Sequence, residues 1–249
     1  VGQQVMMTGL AQIWPATPVA GPLVEEGRVE GVVLAQDGSP VRAALTVVAD
    51  GPVGPVGRRL DEIFGMPEGH ARDEWAAGMK LVVDLPETCE LEEGTVLHTI
   101  GYPEPEIFGF FYVHPGRVAS IGIFVPSWLE SPARTGYRYL QQFLTHPAVW
   151  KHVQGGRMRS WGAKSLLESG RRGEPWLVGD GYARIGEGSG STNVLTGSGV
   201  DEAWLTGVQL AEAALEILRE GGEFSAARLK QGYVGRRRAS WTCRPPPKP

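Results

Sequence analysis

Residues Trp176 to Leu218 constrain the fold more than any other part of the chain. The apolar run Trp176-Leu177-Val178 ends in Gly179-Asp180, a glycine-rich stretch follows, and Gly197-Ser198-Gly199 opens a long helical pattern. An aspartate at a strand end is placed to accept hydrogen bonds from hydroxyls. A glycine-framed helix start offers unpaired backbone N–H groups and the positive end of a helix dipole. Together they suit a ligand carrying both a polyol and a pyrophosphate, which calls for strands feeding helices.

Composition narrows the class. With 249 residues the chain can bury a sizeable core in one large or two modest domains. Apolar residues make up 42% and charged residues 21%, ordinary values for a globular protein. A net charge of −4 gives no reason to expect nucleic acid as a partner. No run approaches the roughly 18 apolar residues of a membrane span, and no signal peptide is visible. The two cysteines, Cys89 and Cys243, have neither metal-ligand nor disulfide-framework spacing, so a cytoplasmic setting and no metal are expected. The start, Val1-Gly2-Gln3-Gln4, lacks an initiator methionine and reads as a piece of a longer protein.

Along the chain, residues 11–50 read as strands. Ile13-Trp14-Pro15 and Val19–Val24 flank turn residues. Arg28–Ala35 and Ala44–Ala49 are β-branched and joined through the turn Gln36-Asp37-Gly38-Ser39-Pro40. A short helix is expected over Gly57–Phe64. Four further strands follow at Ala77–Val83, Val96–Tyr102, Ile107–Val113 and Val118–Val125, a spacing that predicts an antiparallel sheet. Tyr137–Val153 has helical spacing interrupted by Pro147. Trp161–Ser169 leads back to a strand at Pro175–Gly179. Val200–Glu220 is the strongest helix, with Val200, Ala203, Trp204, Gly207, Leu210, Ala211, Ala214 and Leu218 on one stripe and Gly221-Gly222 as the stop. Beyond Glu223 the chain is basic and ends in Pro245-Pro246-Pro247, an extended tail.

These residues carry a family resemblance. Ala49-Asp50-Gly51, Gly179-Asp180 and the glycine-framed helix resemble the downstream half of the glutathione-reductase-type flavoproteins. Within them, the chain resembles the branch of electron-transfer-flavoprotein:quinone oxidoreductase and the geranylgeranyl reductases. The segments that carry this are Gly78-Met79-Lys80, His98-Thr99-Ile100-Gly101-Tyr102-Pro103, Gly109-Phe110-Phe111-Tyr112-Val113-His114, Ile121-Gly122-Ile123, Phe143-Leu144-Thr145-His146-Pro147, Gly155-Gly156-Arg157, Trp161-Gly162-Ala163 and Leu177-Val178-Gly179-Asp180. None is specific alone; their order over about residues 10–235 is.

The resemblance implies an α+β chain: part of a three-layer FAD-binding domain (residues 1–70 and 165–225) interrupted by an antiparallel-sheet domain for a quinone or other substrate (residues 71–164), then a basic Pro-rich tail (226–249). It implies FAD as cofactor of the full-length protein, held through Asp50, Gly51, Gly179, Asp180, Gly197, Ser198 and Gly199. Gly101, Tyr102, Pro103, Phe110 and Tyr112 would line the acceptor pocket. Electrons would pass from an electron-transfer-flavoprotein-like donor to a quinone or other hydrophobic acceptor, the cofactor carrying the redox chemistry. No catalytic side chain is assigned. Reduction of an isoprenoid double bond is the enzymatic alternative, and a cofactor-free folded fragment is the alternative of another class.

The family's G-x-G-x-x-G strand–turn–helix and its iron–sulfur cysteines have no counterpart in the sequence. Residues Arg184-Ile185-Gly186-Glu187-Gly188-Ser189-Gly190 read as an insertion. Simpler roles compete at each position: a turn cap for Asp180, an Asx turn for Asp50, a helix N-cap for Gly197 and Gly199, core packing for Tyr102 and Tyr112. His98, His114 and His146 form no metal set. The basic tail is either solvated or a peripheral contact with an acidic partner or the inner membrane face.

Overall fold

The computed structural model describes residues 2–67, 70–129, 134–193 and 197–240. Contacts divide the chain into two units, residues 1–69 with 170–249, and residues 70–169.

The second unit is built on five antiparallel strands. They are β5 (Trp75–Asp84), β6 (Val96–Ile100), β7 (Phe108–His114), β8 (Val118–Pro126) and β9 (Arg157–Leu167), in the order β6-β7-β8-β5-β9. Alternation explains the sheet. In β8, Ala119, Ile121, Ile123 and Val125 are buried on one face with Phe111 and Val113 of β7. Helices α3 (Gly136–Thr145) and α4 (Pro147–Val153) supply Tyr139, Leu140, Phe143 and Val149 to the same core. Pro147 takes the first position of α4 and splits the two helices, because it cannot continue α3. The opposite face carries Phe108, Phe110 and Tyr112 of β7 with Phe124 of β8.

Strand β9 has no counterpart in the sequence reading, and it carries residues 165–167, expected in the first unit, into the second. Residues Arg157–Ser165 are all exposed, so the strand lacks the alternation that marks a half-buried one. Its edge is guarded by Arg157, Arg159 and Lys164, a common protection against further pairing. Asp84 on the neighbouring β5 binds both arginines. Its carboxyl is held below the ordinary value, first by the Arg157 hydrogen bond and then by Arg159. A depressed carboxylate stabilises above its unfolded value and loses that contribution as pH falls through the folded one. The stability difference between wild type and Asp84→Asn in urea melts should therefore be present at neutral pH and close below about pH 4.

The first unit holds two small sheets. β1 (Val19–Glu25), β2 (Arg28–Leu34) and β3 (Pro40–Arg42) form an antiparallel meander. The Asp37-Gly38 turn joins β2 to β3, with the Asp37 carboxylate accepting from Ser39 N at 3.0 Å. The segment expected to pair across that turn, Ala44–Ala49, instead gives β4 (Thr46–Val48) in a separate sheet, ordered β10-β11-β4. Here β10 (Val178–Gly179) and β11 (Tyr182–Arg184) form a tight hairpin, and β11 runs parallel to β4. Helix α1 (Gly2–Met7) is exposed, and α2 (Pro55–Phe64) packs Val56 and Leu60 against Val29, Val48 and Tyr182.

The expected long helix is α5 (Val200–Arg219), but its buried face is not the expected stripe. Glu202, Thr206, Gln209, Leu210, Ala213 and Ile217 are buried, whereas Val200, Trp204 and Leu218 are exposed. The region expected as a basic tail is also corrected. Residues 226–239 form α6 (Ala226–Leu229), a π-turn (Lys230–Val234) and α7 (Gly235–Ala239). Leu229, Tyr233 and Val234 fill the core under α5, an apolar spacing masked by the many cations around it. The final prolines lie outside the described residues.

Candidate functional site

Two places in the molecule collect the candidate residues, one in each unit. In the first unit, β4 and β11 are parallel, so their carboxyl ends share an edge, where ligands sit in open parallel sheets. Asp50 and Gly51 follow β4 directly. Asp50 Oδ2 accepts from Val56 N at 2.9 Å and Gly57 N at 3.1 Å. Its carboxylate therefore caps α2 and fixes the loop.

Past β11 comes Gly186-Glu187-Gly188-Ser189-Gly190, the stretch expected as an insertion. Gly186 and Gly190 hold the left-handed φ values 69° and 70°, which glycine adopts without the cost a side chain incurs. Gly188 packs on the 50–51 loop so tightly that a Cβ there would lie 2.6 Å from Gly51 O. Gly186 N donates to Thr206 Oγ1 of α5 at 2.8 Å, and Ser189 Oγ donates to Gly186 O at 2.6 Å. Two adjoining backbone turns thus frame a strand-end carboxylate, Glu187, half-buried beside them.

The turn is braced from behind. Arg237 Nη1 donates to Ser189 Oγ at 2.7 Å, and Nη2 donates to Ser189 O at 3.1 Å and Glu174 Oε1 at 3.1 Å. Tyr233 Oη donates to Arg184 O at 2.8 Å, and burial raises that phenol's pKa. Arg184 Nη2 pairs with Asp61 Oδ1 at 2.6 Å.

Gly179 and Asp180 lie elsewhere. They form the β10–β11 hairpin, at the amino end of β11. Thr46 N, opening β4, donates to Gly181 O at 2.8 Å, so this hairpin sits at the end of the sheet opposite Asp50. Asp180 is exposed and its Oδ1 accepts from Ala226 N at 2.7 Å, at the start of α6.

Helix α5 shows the separation directly. Its second turn contacts Gly186, while Gly181 N donates to Phe224 O just past its end. A helix of 20 residues spans about 30 Å at 1.5 Å per residue. Asp180 and the α5 start therefore lie toward opposite ends of the sheet, whereas the sequence reading had placed them in one site.

Gly197, Ser198 and Gly199 do lie at the Gly186 end of α5. Ser198 pairs with Asn193 through both backbone hydrogen bonds and its hydroxyl donates to Asp201, lowering that carboxyl's pKa. Gly199 is the N-cap, and no side chain of its own fills the opening.

In the second unit the sheet separates the expected pocket residues. Tyr102, preceded by Gly101 (φ 81°) and joined to Pro103 by a cis peptide, turns toward the helices. Its hydroxyl donates to Gln142 O at 3.4 Å and its ring meets His146 at 4.6 Å. Phe110 and Tyr112 lie on the other face, their rings 5.0 Å apart. Phe110 lies over Gly122, where a Cβ would come 2.5 Å from its ring. Phe124 and Phe108 extend the cluster. At its rim His98 Nε2 and Tyr112 Oη are hydrogen-bonded at 2.9 Å, and His98 packs on Phe108 at 4.9 Å.

This sheet is the part of the chain that a family model recognises. Residues 75–166 match the family described as ETF-QO, ubiquinone-binding. The mitochondrial electron transfer flavoprotein-ubiquinone oxidoreductase of Arabidopsis thaliana is 30% identical over 191 residues, covering 75% of this chain and 30% of the relative. The chain is related to the electron transfer flavoprotein-ubiquinone oxidoreductases. The Pseudomonas aeruginosa enzyme is 26% identical over 252 residues, covering 92% of this chain and 45% of its own length. The chain thus spans less than half of the curated relatives it matches.

Among solved structures, a geranylgeranyl bacteriochlorophyll reductase-like protein from Thermoplasma acidophilum superposes with TM-score 0.78 at 18% identity, over 95% of this chain and 57% of its own. Halogenase PltM in complex with phloroglucinol and FAD gives 0.66 at 15% identity, over 93% and 48%. The fold, a mixed α/β chain with antiparallel sheets, is that of FAD-binding oxidoreductases.

Proposed function

We propose that the chain is the downstream part of an FAD-dependent oxidoreductase that passes electrons from an electron-transfer-flavoprotein-like donor to a quinone. The reading rests chiefly on the Gly186–Gly190 turn seated against Gly51 at the carboxyl ends of two parallel strands, with α5 opening beside it. The residues fit the cofactor there. The Gly188–Gly51 contact, which admits no Cβ, brings the two strand-end loops together, Glu187 supplies the strand-end carboxylate for ribityl hydroxyls, and the α5 amino end favours negative charge. When bound, FAD supplies the two-electron chemistry. The protein's part is to hold it and to present the acceptor.

For the acceptor, the aromatic face of Phe108, Phe110, Tyr112 and Phe124 supports a flat, largely apolar quinone, and it lies inside the ubiquinone-binding match. Isoprenoid reduction is the second reading, supported by the likeness to the Thermoplasma structure. No helix among the described residues is long and apolar enough to cross a membrane. A lipid-soluble acceptor would then be met by peripheral contact.

Flavin absorbance after gel filtration tests the site, in the 249-residue chain and in any longer parent. Glu187→Gln should weaken flavin retention about tenfold, the worth of one charge-assisted hydrogen bond. Asp180→Asn should leave it unchanged. The opposite pattern would return the site to Asp180. Absence of flavin from both proteins would favour the cofactor-free reading.

A further inference from the structure

The aromatic face of the second unit carries a polar pair that the reading above leaves without a role. His98 is exposed on the edge strand β6, and Tyr112, on β7, stands inward of it. Their 2.9 Å hydrogen bond joins a side chain open to solvent to one set among Phe108, Phe110 and Phe124. Two rings fix the histidine, Phe108 at 4.9 Å and Tyr112 at 5.6 Å.

We propose that Tyr112 donates a hydrogen bond and then a proton to a carbonyl oxygen of the quinone, and that His98 replaces that proton from solvent. This rests on the quinone reading of the same face.

The step balances. The electron pair that reduces the quinone would come from reduced flavin, the two-electron reductant of the proposed reaction. The Tyr112 O–H bond breaks as the hydroquinone O–H forms. The His98 Nε2–H proton moves to the tyrosinate oxygen, and the imidazole takes a proton from solvent in its place. The second quinone oxygen is protonated from solvent.

Burial raises the Tyr112 pKa, which keeps the phenol protonated until the acceptor oxygen becomes basic. Other charged groups on this face are few. His114 on β7 is bound to Ser120 of β8 at 2.9 Å. Lys80 of β5 stands opposite Gly122. Asp84 of β5 is paired to Arg157 and Arg159 of β9, and Lys164 of β9 stands opposite Gly78. Among the described residues, none of these groups is hydrogen-bonded to His98 or Tyr112.

The test titrates ubiquinone-1 into the 249-residue chain, followed by tryptophan fluorescence, beside ring ¹⁵N NMR of His98. Tyr112→Phe should bind about fivefold more weakly, the loss of one neutral hydrogen bond, and ubiquinone-1 should shift the His98 ring signals in wild type but not in Tyr112→Phe.

In flavin-loaded protein, His98→Gln should lower the saturating rate of ubiquinone-1 reduction with little change in its affinity, the split expected of a proton donor rather than a binding contact. Ile100→Asp, at an 83% exposed position of the same face, separates the two readings without threatening the fold. If it leaves ubiquinone-1 affinity unchanged, the quinone does not use this face and both readings fall. If it weakens binding while Tyr112→Phe and His98→Gln behave as wild type, the face stands and the proton pair is overturned.

Discussion

Arg237→Met is expected to lower the unfolding free energy by about 3–5 kcal/mol, the usual cost of breaking a buried ion pair from one side. Arg237 is only 5% exposed. Methionine keeps most of its length and removes its hydrogen bonds. Glu174 Oε1 then loses its charged partner, and the hydroxyl and carbonyl of the fully buried Ser189 lose their donors. A buried acceptor left unmatched costs about 1–3 kcal/mol by itself, so most of the effect comes from what is stranded. Urea denaturation measures the loss, and a change below about 1 kcal/mol would mean that water replaces the guanidinium. Amide exchange locates it. Ser189 N donates to Gly186 O at 2.9 Å, and this amide should exchange faster in the variant because the turn has lost its brace. The candidate cofactor site would thus depend on a residue that a charge count assigns to a solvated tail.

That misreading shows where sequence is informative and where it is not. The strands of the second unit were legible because β8 alternates apolar and small or polar residues and β7 is a short aromatic and apolar run bounded by turns, and α3 and α4 because Pro147 marks their junction. Strand β9 was not, since an edge exposed on both faces carries no period. The cofactor end was legible as a pattern and ambiguous in place. Val178-Gly179-Asp180 and Arg184-Ile185-Gly186-Glu187 both read as strand, glycine, acid, within eight residues of each other. Only the pairing of β11 beside β4 selects the second, and pairing between strands some 135 residues apart leaves no local trace. A turn signal did exist, since Asp180-Gly181 is a favoured dipeptide for a two-residue hairpin loop. Read that way, it would have placed Asp180 at a strand start. Tyr102 stands on the opposite side of the sheet from Phe110 and Tyr112 for a related reason. Which side of a sheet a residue leaves from, after a strand has ended, is set by the loop beyond it.

Phe143→Ala should cost about 3–5 kcal/mol, the range for truncating a fully buried aromatic ring. Phe143 is 1% exposed, at the centre of the core between α3 and the sheet. Gly109 gives the prediction a second side. A Cβ at this position of β7 would lie 2.8 Å from Phe143 Cε2 and 2.9 Å from Cζ, and against the Thr99 hydroxyl. The ring therefore rests on bare backbone, and Gly109→Ala alone should cost about 1–3 kcal/mol as overpacking. The two changes are not independent. Once the ring is gone the new methyl enters the space it left, and the Thr99 hydroxyl can rotate aside. The double variant should be more stable than the sum of the single losses by about 1 kcal/mol or more. Strict additivity in urea melts would show that Gly109 is required by Thr99 or by strand geometry instead. The outcome bears on function because β7 is one strand with two faces. Phe143 and Gly109 set how closely its inner face meets α3, while Phe110 and Tyr112 leave from the other face of the same strand.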